Sequence, residues 1–282
     1  MSKKINGKWE RFKKHKLAMI GLFTLIALIL IMVFLPMIIG IDPNTFDKQA
    51  YGKGPSAQHW LGTDDLGRDI LARTLYGGRI SLLVGLCAVC VSAVIGVPLG
   101  LLAGYYESTL GRVIMRIADI FISFPSMVLM LVVVAMFDPS IIILILVIGI
   151  IGWPKYTRLV YSSTLSVRQK DYVEAAKVSG CKTPIILAKY ILPNVISPVW
   201  VTLTFGIASA ILTESTLSFL GVGVQPPTAS WGNLIREALG YTILSRKPWI
   251  WMPSGILLII LTISVNFIGD GIRDALDPQT KL

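Results

Sequence analysis

Charge is what this sequence has least of. Only 15% of its 282 residues are charged, against about 25% in a soluble domain, while 54% are hydrophobic. A chain so composed cannot dress itself in a solvated surface, which excludes an ordinary soluble domain. Several apolar stretches of about 20 residues instead make it a polytopic membrane protein. The net charge of +10 does not make nucleic acid a partner. The positive residues stand in loops beside apolar spans, where the positive-inside rule places them. Cysteine and histidine are scarce too, at three and two. Cys87 and Cys90 form a CxxC, but inside the apolar run "LLVGLCAVCVSAVIG", with no charged or polar company to stabilise thiolates for metal or redox work. They read as two small apolar side chains on one helix face. His15 and His59 lie in separate loops and make no metal pattern. A phosphate-cradling GxxxxGK[ST] loop is absent, as is any Ser/His/Asp or Cys/His set. The chain is therefore expected to be no enzyme and to carry no cofactor or metal. Its energy must come from elsewhere.

What is present is an all-α arrangement of six spans, expected at residues 17–40, 80–105, 113–137, 140–158, 195–222 and 252–270. The first, "LAMIGLFTLIALILIMVFLPMIIG", is too long for a signal-peptide core and lacks a small-residue cleavage site, so it reads as a retained anchor. The chain divides into a basic tail (1–16), the anchor span (17–40), an outer loop (41–79) and a core of five spans (80–275). With the N-terminus inside, Lys and Arg fall 18 inside and 8 outside, which places both termini in the cytoplasm. The count assigns Lys155 and Arg158 to the inner loop after the fourth span. In the outer loop, Asp64 or Asp65 can cap a short amphipathic helix with Leu66, Ile70, Leu71 and Leu75 on one face. Trp231, Trp249 and Trp251 suit the headgroup layer. Gly96, Gly100 and Gly104, four apart, predict close helix packing. Pro125 is the best site for a kink. Asp119 is expected to pair with Arg116, and Asp270, Arg273 and Asp274 to form an ionic cluster at the inner end of the last span.

The longest polar interruption in the second half is "DYVEAAKVSGCKTPIILAKYILPN", residues 171–194. Asp171 can cap a helix over 172–179, and Gly180 suits the left-handed position that ends it. Thr183 and Pro184 start a second helix, which Pro193 stops. Tyr172, Ala175, Ala176 and Ser179 share one face of the first helix, and Glu174 can pair with Lys177. A helix this short needs a packing partner. The residues leave two readings level, a loop packed on its own bundle or a docking element for another protein.

The stretch resembles the EAA loop of type I binding-protein-dependent ABC importers. That pattern is Glu-Ala-Ala, three residues, Gly, nine residues, Ile, one residue, Leu-Pro, matched here by Glu174, Ala175, Ala176, Gly180, Leu192 and Pro193. It departs at Tyr190, which keeps the apolar bulk of Ile. "HWLGTDDLGRDILARTLYGGRISL", "DIFISFPS", "TESTLSFLGVGVQPPTASWGNLI" and "NFIGDGIRDALDP" are also similar to the C-type permease subunit of oligopeptide and dipeptide importers, over residues 58–278. The resemblance implies a permease that pairs with a second, homologous permease in the membrane lipid. Its coupling loop, at 159–194, seats on a cytoplasmic ATPase subunit that binds ATP and Mg, and an extracytoplasmic binding protein delivers cargo. Coupling would run through Asp171, Tyr172, Glu174, Ala175, Ala176, Lys177, Gly180 and Lys182. Glu214, deep in the fifth span, is the candidate for the translocation pathway or the partner permease, against a plain hydrogen bond within the bundle. Nickel, a metal chelate, glutathione or an oligosaccharide are alternative cargoes. A self-sufficient secondary transporter is a remoter reading.

Overall fold

A computed structural model describes residues 9–106 and 108–276. The tail residues 1–8, Glu107 and residues 277–282 lie outside the described residues, so Lys3, Lys4, Lys8 and Lys281 of the charge count do too. Among the described residues the regular structure is helical, with turns and loops over 40–69 and 220–230 and isolated bridges at Phe46–Arg68 and Thr63–Asp69. Helix α1 (Lys16–Ile39) begins where His15 Nδ1 accepts the Ala18 N–H, and ends on Gly40 at φ 71°. Helix α2 (Ile70–Tyr105) is 36 residues long, about 54 Å against a hydrocarbon core of about 30 Å. It therefore projects beyond the bilayer.

The separate amphipathic helix expected before α2 does not form. Asp64 Oδ1 accepts the Leu66 and Arg68 N–H groups at 2.9 Å, which closes a turn instead of capping a helix. Asp69 is the true cap, taking the Ala72 N–H at 2.8 Å. Leu66 is left exposed, while Ile70 and Leu75 are buried as part of α2.

Helices α3 (Thr109–Ser123) and α4 (Ser126–Ala135) replace the expected third span and meet at 87°. Pro125 forces Phe124 into an extended conformation, φ −91° and ψ 143°, and the helix stops rather than kinks. Helix α5 (Ile141–Arg168) runs ten residues past the expected end of its span, so Lys155 and Arg158 are helical residues, not loop ones. Glycines seat α2 on α5. A side chain at Gly96 would strike Trp153 O, one at Gly100 would strike Thr157 O, and one at Gly104 would strike Thr164. Thr157 and Ser92 hydroxyls donate across the same seam to Gly96 O and Gly149 O. The contacts climb together along both helices, so α2 and α5 are parallel. Parallel neighbours require a return crossing between them, and α3 with α4 supplies it as a broken span. Among the described residues five helices are long and apolar enough to cross a membrane, and the bent pair, taken as one span, makes a sixth.

After α6 (Asp171–Val178), helix α7 (Thr183–Phe219) runs without a break, with a π segment over Ile186–Ile191. Pro193 was expected to stop it. Lacking an N–H, Pro193 removes one rung of the ladder, and the chain answers by widening its register just before it. Just past it, Asn194 Nδ2 donates to Tyr190 O at 2.7 Å. Helix α7 runs antiparallel to α2, with Ile211 against Gly85 and Gly206 near Val89. The last long helix, α10 (Met252–Leu276), is antiparallel to α1. Gly21 lies on Ser264, and Gly271 on Ala18 and Phe12.

At one end of the bundle, the end that the skew of Lys and Arg predicts to be the outer one, residues 41–69 and the segment between α7 and α10 knit into a lobe, the outer lobe. That segment holds α8 (Trp231–Arg236) and α9 (Tyr241–Arg246). Arg68 Nε meets Asp64 Oδ2 at 2.6 Å, buried Arg73 stands 3.6 Å from the same oxygen, and Glu237 lies 4.0 Å from Arg68. Lys247 pairs with Asp65, and Trp249 Nε1 donates to Thr63 O. Trp231, expected in the headgroup layer, is fully buried and donates to Thr74 O at 2.8 Å. The opposite end carries both described chain ends and α6. Here His15 lies 3.3 Å from Asp274, so Asp274 serves the tail rather than the ionic cluster expected at the end of the last span.

Candidate coupling surface and translocation face

Helix α6 is short and sharply bounded. Lys170 holds the N-cap position without a side-chain bond, so Asp171 is the first helical residue and not the cap. Asp171 and Glu174 in the first turn and Lys177 in the last still complement the helix dipole. The C-terminus is a Schellman motif. Cys181 N donates to Ala176 O at 3.1 Å and Gly180 N to Lys177 O at 3.0 Å, with Gly180 at φ 76°. Nothing lies within 4 Å of a side chain built at Gly180. Its identity therefore answers to the backbone alone. At the next helix, Lys182 takes the cap position expected of Thr183, and Pro184 stands in the first turn.

One face of α6 is held and the other is free. Val173 and Ala176, three apart, are buried against Leu101, Val160, Ile186, Ile191 and Val195. Ala176 thus leaves the shared face expected for it, because Val173 is the largest apolar side chain on the helix that can pack and Ala176 lies beside it. Tyr172, Glu174, Ala175, Lys177, Ser179, Gly180 and Lys182 remain exposed, with Asp171 at the edge. Val178, which the residue pattern did not single out, is 90% exposed. Lys177 Nζ lies 5.3 Å from the centre of the Tyr105 ring instead of pairing with Glu174. Arg168 donates to Tyr105 O at 2.9 Å and reaches Gly104 O at 3.4 Å. The end of α2 is thereby clamped to the base of the loop. The two readings of the loop are joined: it packs on its own bundle through one stripe and offers the other to solvent.

Glu214 does not face a pathway. It is fully buried, Ser218 Oγ donates to Oε1 at 2.7 Å and Ser215 Oγ to Oε2 at 3.3 Å, and the Ser81 and Ser230 hydroxyls also reach it. Four hydroxyls from three elements satisfy it inside the bundle, which overturns its expected place on the translocation pathway.

A different face is open. A cavity of about 310 Å³ lies among α2, α3, α5 and α7, bounded by Ser92, Phe121, Phe124, Lys155, Tyr156 and Ser209, with Thr213 and Ser126 at its rim. Phe124, Ser126, Lys155 and Ser209 are exposed in the single chain, so the cavity is open on one side. Beside it, Asp119 pairs with Arg158 at 2.5 Å, not with Arg116. Arg158 reaches across from the neighbouring helix, whereas Arg116 is a step along the same helix as Asp119. In the crook of α3, α4 and α5 a second hollow, of about 580 Å³, is wholly apolar, from Ile120 and Phe124 to Phe137 and Leu146.

Comparison with known proteins gives this architecture relatives. Residues 96–282 match the family described as "Binding-protein-dependent transport system inner membrane component", and residues 7–55 match the "N-terminal TM domain of oligopeptide transport permease C". The chain is 39% identical over 273 residues to the dipeptide transport system permease protein DppC of Alkalihalophilus pseudofirmus, covering 97% of this chain and 89% of that one. It is 37% identical to the oligopeptide transport system permease protein OppC of Bacillus subtilis, covering 100% and 93%. It is 40% identical to the glutathione transport system permease protein GsiD of Pectobacterium atrosepticum, covering 97% and 90%. Among solved structures, an inward-facing conformation of the MetNI methionine ABC transporter superposes with a TM-score of 0.57 at 20% identity, covering 74% of this chain and 96% of that one. That likeness speaks for the fold.

Proposed function

The chain belongs to the family of binding-protein-dependent transport system inner membrane components, and from that premise we propose that it forms half of the pathway of an ATP-driven ABC importer of di- and oligopeptides, coupled to a cytoplasmic ATPase through α6. It is a multi-pass inner membrane protein and a transport permease, not itself an enzyme. Membership implies ATPase and binding-protein partners. ATP and Mg are bound by the ATPase subunits. The second half of the chamber comes from a homologous permease that closes the open side of the cavity. The skew of Lys and Arg puts both termini and α6 in the cytoplasm.

The observation that carries the coupling is the two-sidedness of α6. Its Val173–Ala176 stripe ties it to α5 and α7, and its Tyr172–Glu174–Ala175–Val178 surface stands free. Work delivered to that surface is passed as a rigid-body displacement to the two helices that bound the cavity. Glutathione is a second cargo reading, favoured by the GsiD relative, and it too is a small peptide. In the reconstituted assembly, Glu174→Arg and Val178→Asp are expected to abolish ATP-driven peptide uptake and to release the ATPase subunits, with insertion of this chain intact. Parental uptake with full ATPase content in both variants would falsify coupling through α6.

A further inference from the structure

Lys155 stands on the wall of the open cavity, in a helix long and apolar enough to cross a membrane. It sits in α5 beside the layer where Trp153 and Tyr156 meet Gly96, well within the apolar stretch of α2 that runs to Tyr105. Among the described residues no carboxylate pairs with it. Arg158, three residues on, is neutralised by Asp119. Lys155 is exposed to the cavity space, and around it the lining offers hydroxyls (Ser92, Ser209 and Thr213 among them) and three aromatic rings (Phe121, Phe124, Tyr156). No acidic side chain belongs to that lining. An ionisable group at such depth is costly and marks a solute path. A packing role would be met by an apolar side chain at no such cost. The cavity is at the small end of small-molecule sites, which run from about 300 to 1,000 Å³, as befits one half of a chamber.

We propose that Lys155 is a selectivity-determining residue of the translocation pathway, its ammonium receiving the carboxylate of an acidic side chain of a peptide in transit. The Ser92 and Thr213 oxygens, whose protons go to Gly149 O and Ser209 O, accept peptide N–H groups, Ser209 can also donate to a peptide C=O, and the two phenylalanines flank the side chains. An ammonium is a compact point charge with three rotatable donors. It holds a carboxylate without demanding one approach angle, which suits a site that must also release its cargo. This inference rests on the peptide-import reading above.

The test uses the complete assembly in proteoliposomes, with its binding protein, and follows one anionic and one cationic tripeptide. Each variant is compared with the parent for the same peptide, so selection by the binding protein cancels. Lys155→Gln is expected to lower uptake of the anionic tripeptide about tenfold, the loss of one charge-assisted hydrogen bond. Uptake of the cationic one falls less. Lys155→Glu reverses the preference between the two, and Lys155→Arg restores the parental order. Parental uptake by Lys155→Gln, or an equal loss for both peptides that Arg does not rescue, overturns the proposal alone. Loss of the second permease from the purified Lys155→Gln complex assigns the residue to subunit pairing and overturns it as well. Failure of the unchanged assembly to take up any peptide overturns the peptide reading and this inference with it.

Discussion

The two ends of the bundle are built on opposite plans. At the outer end, two segments nearly two hundred residues apart in sequence are bound by charge. Asp64 gathers Arg68 and Arg73, Glu237 comes in from the far segment, Lys247 reaches Asp65, and His59 bridges Asp69 at 2.8 Å and Asp47 at 3.4 Å. At the inner end, α6 rests on an apolar stripe of two side chains and ends in one glycine. Directional bonds to many partners fix a shape. A narrow apolar seat fixes an attachment while leaving one face free to bind. The outer lobe is held at many points, and α6 keeps one face without a partner among the described residues.

The largest effect should come from the centre of the outer network. Asp64 is 1% exposed and Arg73 2%. Asp64→Asn keeps the shape but leaves two arginines without their counter-charge, and breaking a buried pair costs about 3–5 kcal/mol. The expected result is a lowered melting temperature in detergent and early proteolysis within 41–69, while α6 still holds the ATPase in any folded fraction. Equal loss of ATPase binding and of the outer lobe would erase the contrast between the ends.

A smaller effect should follow pH, again only outside. Burial, with the Asp64 carboxylate adding to it, outweighs Arg73 and Arg68 and pushes Glu237 from its ordinary 4.5 up to about 7. A carboxyl so raised binds its proton more tightly folded than unfolded. Its contribution is complete below 4.5 and is lost as pH climbs to about 7, at no more than about 1.4 kcal/mol per pH unit. Burial opposes the charge on His59, but Asp69 and Asp47 prevail and raise its pKa, so this pair also loosens as pH rises. Hydrogen exchange in the outer lobe should quicken between pH 5 and pH 8 beyond the intrinsic rise, and Glu237→Gln should flatten the change. Protection at α6, corrected the same way, should stay level. A matching change there would contradict the two plans.

How much of this was open to reading from residues alone follows from the distance over which each feature is decided. Long apolar runs announce α1, α2 and α10, because a span is decided by its own composition. Gly180 announced the end of α6, because a left-handed position is a local demand. The right-angled break at Phe124–Pro125 was half legible: proline marks the place, but packing against α5 decides between a kink and a stop. Pro193 misled for the same reason, since a π segment just before it lets α7 continue. Glu214 looked like a pathway residue because Ser81 and Ser230 lie far away in sequence. Lys155 was hidden among inner-loop positives because α5 outlasts its apolar run.

The smallest effect, and the sharpest comparison, lies in two glycines with the same backbone. Gly180 and Gly67 have φ of 76° and 79°. A side chain at Gly180 meets nothing within 4 Å, whereas one at Gly67 collides with the Asp47 carbonyl. Gly180→Ala therefore carries only the left-handed penalty, about 1–2 kcal/mol, and Gly180→Asn, which tolerates that conformation, should cost less. Gly67→Ala carries the same penalty plus a clash with backbone that the Asp64 turn holds in place. Thermal melts should rank Gly67→Ala below Gly180→Ala and Gly180→Asn near the parent. Uptake should rank the other way around: Gly180→Ala frays α6 and slows transport in a protein that still melts close to the parental temperature, and Gly180→Asn recovers part of the rate. If Gly180→Ala proves as destabilising as Gly67→Ala, the inner loop is as tightly built as the outer lobe, and α6 cannot be the freely presented surface that coupling requires.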